Sequence, residues 1–388
     1  FDLTGKRAKI LHNRILKGDD FKFKDVSYIL EGELKFSRPL KSYVNSRPTF
    51  GSSICDVDQN GYSDILTSNS AGYSNKMLLN RYDKKNTDRI FKDYAKSSGF
   101  DQDDEGRMNP KSGGNSFFSL CTDYNNNGII DILNGELSHS YDSEDRDRSS
   151  FLTGKHLKFP PSFIRSEYLY ESSKEVWSQA DRRASWIDVD NDGLIDILVD
   201  NSGFPDLTRL VLFKQAKDHG FDDRSKKSGI DILNPSGTVT LDFNKDGKMD
   251  FITGQSSLRN SKIKRRIYAF QNNSKNKNRS LRVYLSGKKS NPAAIGAMIQ
   301  VDTQKFSQKR FVHYSYGPLP AQNEEGILFG LSRSNSLLSA RVNWPVLGKD
   351  KSPLVKRYDL SKLKFSNYLE VTLCEDGSVL PRKTTCKL

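Results

Sequence analysis

The sequence predicts an all-β protein built from repeated units, and three observations support this. A nine-residue pattern with acidic or amide side chains at positions 1, 3, 5 and 9 and Gly at position 6 occurs four times. A pair of apolar residues follows each copy, and turn-forming residues come next, as expected for short strands. The copies begin 67, 65 and 54 residues apart, which leaves room for about four strands per unit. That spacing is typical of the blades of a β-propeller.

The four copies predict calcium sites. They are called here the first to fourth loops and span residues 56–64, 123–131, 188–196 and 242–250. Oxygen-bearing side chains around a Gly turn are ligands that Ca²⁺ prefers in a flexible loop, and the backbone carbonyl at position 7 completes such a cage. The predicted ligands are Asp56, Asp58, Asn60, Tyr62 and Asp64; Asp123, Asn125, Asn127, Ile129 and Asp131; Asp188, Asp190, Asp192, Leu194 and Asp196; and Asp242, Asn244, Asp246, Lys248 and Asp250.

The loops differ from the helix–loop–helix type of calcium site. That type ends in a bidentate Glu at position 12, where this chain has Thr67, Asn134, Val199 and Thr253. We therefore expect each loop to be a tight turn between two strands. The third loop carries four carboxylates and the second only two, so the third is predicted to bind Ca²⁺ most tightly and the second most weakly. The alternative is a network of Asp and Asn turns that only satisfies backbone groups.

A second element recurs between the loops. Residues 91–100 align with residues 221–230, each with Phe and Asp at its start and Ser-Gly near its end. Residues 23–26 resemble the start of this element. A repeated second element supports the interpretation that one structural unit has been copied.

These repeats resemble the FG-GAP repeats of integrin α-chain propellers and, more closely, VCBS-type repeats. The tail adds three further marks, at residues 291–297, 327–331 and 342–348, which look like those of an ASPIC/UnbV module. Repeats followed by that module are the layout of the cartilage acidic protein family and its bacterial relatives. The resemblance implies a propeller over residues 1–280 and a β-rich C-terminal module over residues 281–388. The chain departs from the family in being basic and in having four clear loop-bearing units rather than seven.

Cysteines and composition favour an extracellular or periplasmic location, or one at a bacterial cell surface. Cys374 and Cys386 flank a short C-terminal loop, and we expect a disulfide there. Cys55 and Cys121 precede the first and second loops and either pair or stay as two buried thiols. The first residue is Phe1 rather than Met, which we interpret as the trace of a removed signal peptide or tag. No apolar run is long enough to predict a transmembrane helix.

The net charge of +13 is unevenly distributed. No acidic residue lies between Asp250 and Asp302, and this stretch contains many basic ones. A concentrated positive face attracts polyanions, whereas the alternative is an ordinary solvated surface. Nucleic acid is disfavoured because no recognised nucleic-acid motif accompanies the charge. The residues predicted to contact a partner are Arg259, Lys262, Lys264, Arg265, Arg266 and Arg282.

Catalysis finds little support in the sequence. The five histidines are scattered, and neither a metalloprotease spacing nor a nucleophile elbow occurs. The acidic and basic stretch at residues 141–148 is predicted to be either a binding insertion or a solvated loop. Arg310, Phe311, His313, Tyr314 and Tyr316 are predicted to form either a stacking surface or a small core.

The expected function is therefore adhesion to, or recognition of, an extracellular glycan, matrix or protein partner. The resemblance supplies the adhesion idea, and the residues supply the calcium loops and the basic face. A carbohydrate-active enzyme of the lyase type on the same scaffold is one alternative. A structural subunit of a surface assembly is the other.

Overall fold

The computed structural model confirms an all-β chain with several antiparallel sheets. It describes residues 16–19, 22–25, 36–37, 42–43, 49–70, 73–83, 88–101, 114–138, 148–168, 179–201, 208–258, 260–313, 322–333, 336–348 and 352–386. Within these ranges the single α-helix is the one-turn α1, Ala95–Ser98. No helix of the described part is long and apolar enough to cross a bilayer.

Four consecutive sheets carry the four loops and are called here the loop-bearing sheets. The first contains β5 (Thr49–Cys55), β6 (Asp64–Asn69), β7 (Lys76–Asp83) and β8 (Asp88–Asp93). The second contains β9 (Ser116–Thr122), β10 (Asp131–Ser138), β11 (Ser150–Gly154) and β12 (Phe163–Glu167), with β13 (Gln179–Ala180) on the end of β10. The third contains β14 (Arg183–Ile187), β15 (Asp196–Asp200), β16 (Val211–Gln215) and β17 (Phe221–Asp223). The fourth contains β18 (Pro235–Leu241), β19 (Asp250–Gln255) and β20 (Arg266–Phe270). Before them, β1 (Leu16–Asp19) pairs with β2 (Lys22–Asp25), and β3 (Phe36–Ser37) with β4 (Ser42–Tyr43).

Each predicted loop joins the first and second strands of its sheet, so all four occupy equivalent turns. The strands in these sheets are antiparallel, and successive connections therefore lie at alternate ends of the sheet. The connection after the second strand lies at the end away from the loop. Every loop-bearing sheet therefore has two ends. The end that carries the predicted loop is called here the loop end, and the opposite end is called the far end.

The second recurring element also folds alike in its two clear copies. Asp93 and Asp223 each accept a hydrogen bond from the backbone N–H two residues later. Gly99 and Gly229 then adopt positive φ values of 81° and 72°, which end the turn. Most of the third copy, residues 23–26, lies in ranges without described side chains, and Val26 lies outside the described residues.

The C-terminal module consists of two four-stranded sheets. Their strands are β21 (Arg279–Ser286), β22 (Met298–Thr303), β23 (Ser307–Phe311), β24 (Ile327–Ser332), β25 (Leu337–Leu347), β26 (Pro353–Asp359), β27 (Tyr368–Cys374) and β28 (Val379–Pro381). One sheet has the order β24-β21-β27-β28, with β21 and β27 parallel, and the other has the order β23-β22-β25-β26. Apolar side chains from both sheets, such as Val283, Ile299, Phe329 and Trp344, form one buried cluster. That cluster draws its members from residues 281–379, so this part of the chain has a core of its own.

Neighbouring loop-bearing sheets pack against each other through separate hydrophobic clusters. Leu66, Leu79 and Ile132 belong to a cluster shared by the first and second sheets. Phe118, Ile197 and Phe213 belong to one shared by the second and third. Neighbouring sheets in the chain are therefore neighbours in space, as a propeller requires. The closed propeller itself stays a prediction.

Candidate cation-binding loops

The four loops share one backbone conformation. At position 4 the left-handed residues Gln59, Asn126, Asn191 and Lys245 have φ values between 50° and 60°. The Gly at position 6 is left-handed as well, with φ values from 80° to 91°. Non-Gly residues adopt this region rarely, and Asn is among those enriched there. Two left-handed residues within three positions turn the chain tightly and direct its side chains inward.

The Asp at position 1 holds this turn together. In the third loop, Asp188 Oδ1 accepts a hydrogen bond from the backbone N–H of Asp192, and Oδ2 accepts one from Gly193. The donor–acceptor distances are 3.1 Å and 2.9 Å. The same pair of bonds recurs at Asp56, Asp123 and Asp242.

The Asp at position 9 ties the loop to its sheet. Asp196 Oδ2 accepts from Val189 N–H at 2.9 Å, and Oδ1 accepts from Gln215 N–H at the end of β16 at 2.8 Å. Equivalent bonds form at Asp64, Asp131 and Asp250. The predicted alternative of a hydrogen-bonded Asp and Asn network is therefore present in every loop. It does not exclude an ion, because each carboxylate oxygen has a second lone pair.

Burial of these carboxylates favours a neutralising partner. Desolvation raises the pKa of Asp56 to about 7 and that of Asp64 to about 8, although backbone hydrogen bonds oppose it. Burial likewise raises the pKa of Asp131 to about 7. The pKa values of Asp123 and Asp242 are raised for the same reason. Groups in this state gain a proton or a cation more readily than exposed carboxylates do.

Two loops bring three carboxylates together within the described residues. Oxygen atoms of Asp56, Asp58 and Asp64 lie within 4.8 Å of one another in the first loop. Those of Asp188, Asp190 and Asp196 do so in the third. The chemistry of the first loop fits a hard divalent cation, since the loop adds the side-chain oxygen of Asn60 to its three carboxylates. In the first loop Arg81 Nη1 pairs with Asp58 at 2.6 Å, from a side chain that is one-third exposed.

The third loop holds an ammonium group among its carboxylates. Lys214 Nζ lies 3.3 Å from Asp190 Oδ1, 3.0 Å from Asp192 Oδ2 and 3.1 Å from Asp196 Oδ1. These are three of the four side chains predicted to bind Ca²⁺. The loop with the most carboxylates therefore fits an added ion less well than the first loop does.

Side chains at position 4 connect each loop to the next one. Gln59 donates to the carbonyl of Gly128 at 3.0 Å, and Asn126 donates to the carbonyl of Gly193 at 3.0 Å. Asn191 donates to the carbonyl of Gly247 at 2.9 Å. The fourth loop continues the series into the module, because Lys245 pairs with Glu324 at 2.6 Å. The four loops and the module thus form one continuous chain of contacts.

The C-terminal module lies against all four loops. A Cβ added to Gly61 would lie 2.5 Å from Pro353, and one added to Gly247 would lie 2.6 Å from Tyr368. Phe306 contacts the third loop at Gly193 in the same way. Lys309 Nζ donates to the carbonyl of Gly128 and to Gln59 Oε1, both at 2.6 Å. The loop ends of the four sheets are therefore covered by the module.

Three of the position-4 residues carry a side-chain amide, and this pattern is visible in the sequence at Gln59, Asn126 and Asn191. Position 4 is not among the predicted ligand positions, so its role in joining the loops was not predicted. Glu324 and Lys214 were missed for a different reason. Each is far from its partner loop along the chain and belongs to no repeated pattern.

The predicted basic surface divides into two parts. Lys262, Lys264 and Arg265 are exposed in the connection between β19 and β20, and Arg266 is exposed as the first residue of β20, at the far end of the fourth sheet. Arg259 lies outside the described residues. Arg282 does not belong to this surface, because its side chain is fully buried. It pairs with Glu324 at 2.9 Å, approaches Asp242 at 3.6 Å and donates to the Tyr368 hydroxyl at 3.0 Å.

The remaining tail residues also lie inside the molecule. Arg310 and Phe311 are buried, and burial lowers the pKa of His313 to about 4. All three line a cavity of about 70 Å³ that Asp188 and Glu324 also border. Phe311 belongs to the hydrophobic cluster shared by the first and second loop-bearing sheets, rather than to a core of the module. Tyr314 and Tyr316, and residues 141–147 of the charged stretch, lie outside the described residues.

Both cysteine pairs form disulfides. The predicted bridge between Cys374 and Cys386 is confirmed. Cys55 bridges to Cys121, which settles the open alternative in favour of pairing. This second bridge joins β5 to β9 immediately before the first and second loops.

The comparison with protein families identifies the C-terminal module. The sequence profile of the family described as ASPIC and UnbV matches residues 287–364, which confirms the predicted module. No curated protein matches the chain. Among solved structures, the V. cholerae biofilm matrix protein Bap1 is similar over 82% of this chain, with 10% identity and a TM-score of 0.27. The chain spans 62% of that structure, and a similarity this low supports no argument about fold or function.

Proposed function

We propose that the protein is an extracellular, calcium-stabilised binding protein in which the loop-bearing sheets are blades of an FG-GAP/VCBS-type β-propeller. The single observation that carries this proposal is the set of four loops with the same hydrogen bonds, all lying beneath one module. Such an arrangement is a rigid scaffold. The function assigned to it is recognition of an anionic glycan, matrix or protein partner.

Calcium has a structural role in this proposal. In the first loop, Asp56, Asp58, Asn60 and Asp64 would hold the ion with the carbonyl of Tyr62. A bound Ca²⁺ would neutralise carboxylates whose charged form is disfavoured by burial. The second loop offers only two carboxylates, so weaker binding is expected there. The fourth loop has three carboxylates, as the first does, but Arg282 already lies 3.6 Å from Asp242. Because the module covers the loop ends, these ions would stiffen the scaffold rather than contact a partner.

The far end of the sheets is the surface proposed for the partner. The exposed residues Lys262, Lys264, Arg265 and Arg266 lie within five positions of one another. They lie in the connection between β19 and β20 and at the start of β20, at the end of the fourth sheet opposite its loop. Their exposure shows that the C-terminal module does not cover them. Clustered cations increase the rate and strength of association with polyanions, and salt weakens that association.

Two disulfides support an oxidising location, because such bonds persist mainly outside the cytosol. Secretion or surface display is therefore part of the proposal. It agrees with the millimolar calcium that weak loop sites require.

Binding to immobilised heparin, alginate and a neutral glucan, in millimolar Ca²⁺ and at increasing salt, tests the proposal. The variant K262Q/K264Q/R265Q/R266Q should lose at least tenfold in affinity for the anionic polymers. The matched control K288Q/K289Q/K362Q/K364Q removes four exposed charges from the module and should bind as the parent does.

Equal losses in both variants would show a general charge effect and contradict the proposed surface. Shortening of the polymer during incubation would favour the lyase alternative. Absence of binding to all three polymers would exclude the glycan class and leave a protein partner or an assembly role.

A further inference from the structure

The third loop contains its own counter-charge, although its sequence is the most acidic of the four. Lys214 lies on β16 and extends from the sheet into the loop. Its ammonium group contacts Asp190, Asp192 and Asp196 and also donates to the carbonyl of Gln215 at 3.3 Å. The side chain is about one-fifth exposed, so these contacts are partly shielded from water.

The other three repeats have no cation at the position equivalent to Lys214. Strand register defines that position. Ile197 pairs with Phe213, the residue before Lys214, and in the first repeat Ile65 pairs with Leu78, the residue before Leu79. The next residue along the chain also donates its N–H to the Asp at position 9 in every repeat. The equivalents of Lys214 are Leu79, Thr153 and Gln271. Lys214 is therefore a feature of the third repeat and not of the repeated unit.

An ammonium group and a calcium ion cannot share this position. Ca²⁺ binds its oxygen ligands at about 2.3 to 2.6 Å. Lys214 Nζ is 3.0 to 3.3 Å from three of the same oxygen-bearing side chains. An ion placed among them would lie within contact distance of the ammonium, and the two positive charges would repel each other.

We propose that Lys214 is the resident cation of the third loop and determines which loops take up a divalent ion. The loop with four carboxylates then folds without Ca²⁺, and the first loop becomes the principal calcium site. This inference refines the proposed function, because it assigns calcium selectively among the four loops.

The variant K214M tests the inference by removing the ammonium while keeping the aliphatic stem. By isothermal titration calorimetry with CaCl₂, K214M should bind about one more equivalent of Ca²⁺ than the parent. In chelator, K214M should unfold at a lower denaturant concentration than the parent. Millimolar Ca²⁺ should restore the stability of K214M. The matched control is K76M, because Lys76 is also half-buried and paired with an Asp, but away from any loop. K76M should not change the calcium stoichiometry.

The double variant D190N/K214M removes one charge of each sign and should be more stable in chelator than K214M. Its additional calcium site should also be weaker than that of K214M by about tenfold. An unchanged stoichiometry in K214M would overturn the inference. A K214M chain that stays unfolded in millimolar Ca²⁺ would overturn it as well, because the loop would then accept no ion in place of the lysine.

The outcome is separable from that of the proposed function. If the parent binds no Ca²⁺ at all, the calcium part of the proposed function fails. The inference about Lys214 depends on the difference in calcium stoichiometry between K214M and the parent. The stability of K214M in chelator gives a second readout.

Discussion

The first two loops and the last two have the same hydrogen-bonded backbone but are fastened differently. A disulfide joins the strands that enter the first and second loops, at Cys55 and Cys121. The third and fourth loops have no such bridge, and a cation contacts carboxylates at position 9 or position 1 of each of them. These cations are Lys214 and Arg282. In the first loop the contacting cation, Arg81, is one-third exposed and reaches only Asp58 at position 3.

The difference shows that the repeated sequence specifies a turn and not a complete site. Position 1 and position 9 carboxylates satisfy backbone N–H groups in all four loops, and this part is copied. What neutralises the carboxylates varies and comes from outside the nine residues. A buried carboxylate requires some positive partner, but the partner is supplied by whichever neighbouring strand or module residue reaches it.

The largest loss of stability is expected from a substitution at the fourth loop. R282M removes a fully buried guanidinium that faces Glu324 and Asp242. Removing one partner of a buried ion pair costs about 3 to 5 kcal/mol. We expect the upper half of this range because the fully buried Asp242 loses its pairing cation, although Glu324 keeps Lys245. Chemical denaturation of R282M and the parent measures the loss. K383M removes an exposed cation that pairs with Glu325 and is the control. A loss below about 1 kcal/mol would contradict the role given to Arg282.

The second largest loss of stability is expected from removing the disulfide that precedes the first two loops. C55A/C121A opens a bridge between residues 66 apart in the sequence, and the chain-entropy relation gives about 4 kcal/mol for a loop of that length. C374A/C386A opens a bridge across 12 residues, for which the same relation gives about 3 kcal/mol. Calorimetric unfolding of both variants compares them. If C374A/C386A is the less stable of the two, the Cys55–Cys121 bridge does not fasten the loops as described.

Titration of the first loop should make stability depend on pH. The folded pKa values of Asp56 and Asp64, about 7 and about 8, lie above the unfolded value of 3.8. The folded state then holds more protons between about pH 4 and pH 8, so the free energy of unfolding falls as pH rises through this window. In chelator we expect the free energy of unfolding to fall from pH 5 to pH 8, by at most about 1.4 kcal/mol per pH unit for each of the two carboxylates.

Calcium should reduce this fall, because the ion binds the deprotonated carboxylates and binds more tightly as pH rises. D64N removes one of the two titrating groups and should flatten the profile in chelator. A profile in chelator that rises between pH 5 and pH 8 would contradict the raised pKa values.

The smallest effect should come from the contact between the module and the first two loops. K309M removes charged hydrogen bonds to Gln59 and to the Gly128 carbonyl. We expect a loss of about 1 to 2 kcal/mol, measured by denaturation. K305M, at an exposed lysine of the same module, should reduce the free energy of unfolding by less. Equal effects would show that Lys309 contributes little to docking of the module.

Much of the fold could be predicted from the chain itself. The spacing of the loops located four strand turns, and the apolar pairs after them became the second strands of the four sheets. The tail marks located the module that the family profile matches. The calcium ions, the closed propeller and the partner remain predictions. The sequence predicts one basic surface that includes Arg282, yet Arg282 is buried. Charge counted along the sequence does not distinguish a residue in a buried ion pair from one that is exposed to water.

By itself, the sequence determined the local conformation of the loops, because each hydrogen bond within a loop joins residues no more than seven positions apart. Only the tertiary structure decided how the loops are neutralised and covered. Lys214 is 18 residues beyond Asp196, and Glu324 is 79 beyond Lys245. These partners meet because strand pairing and packing of the module bring them together. No periodicity in the chain records such contacts, since each one occurs in a single repeat.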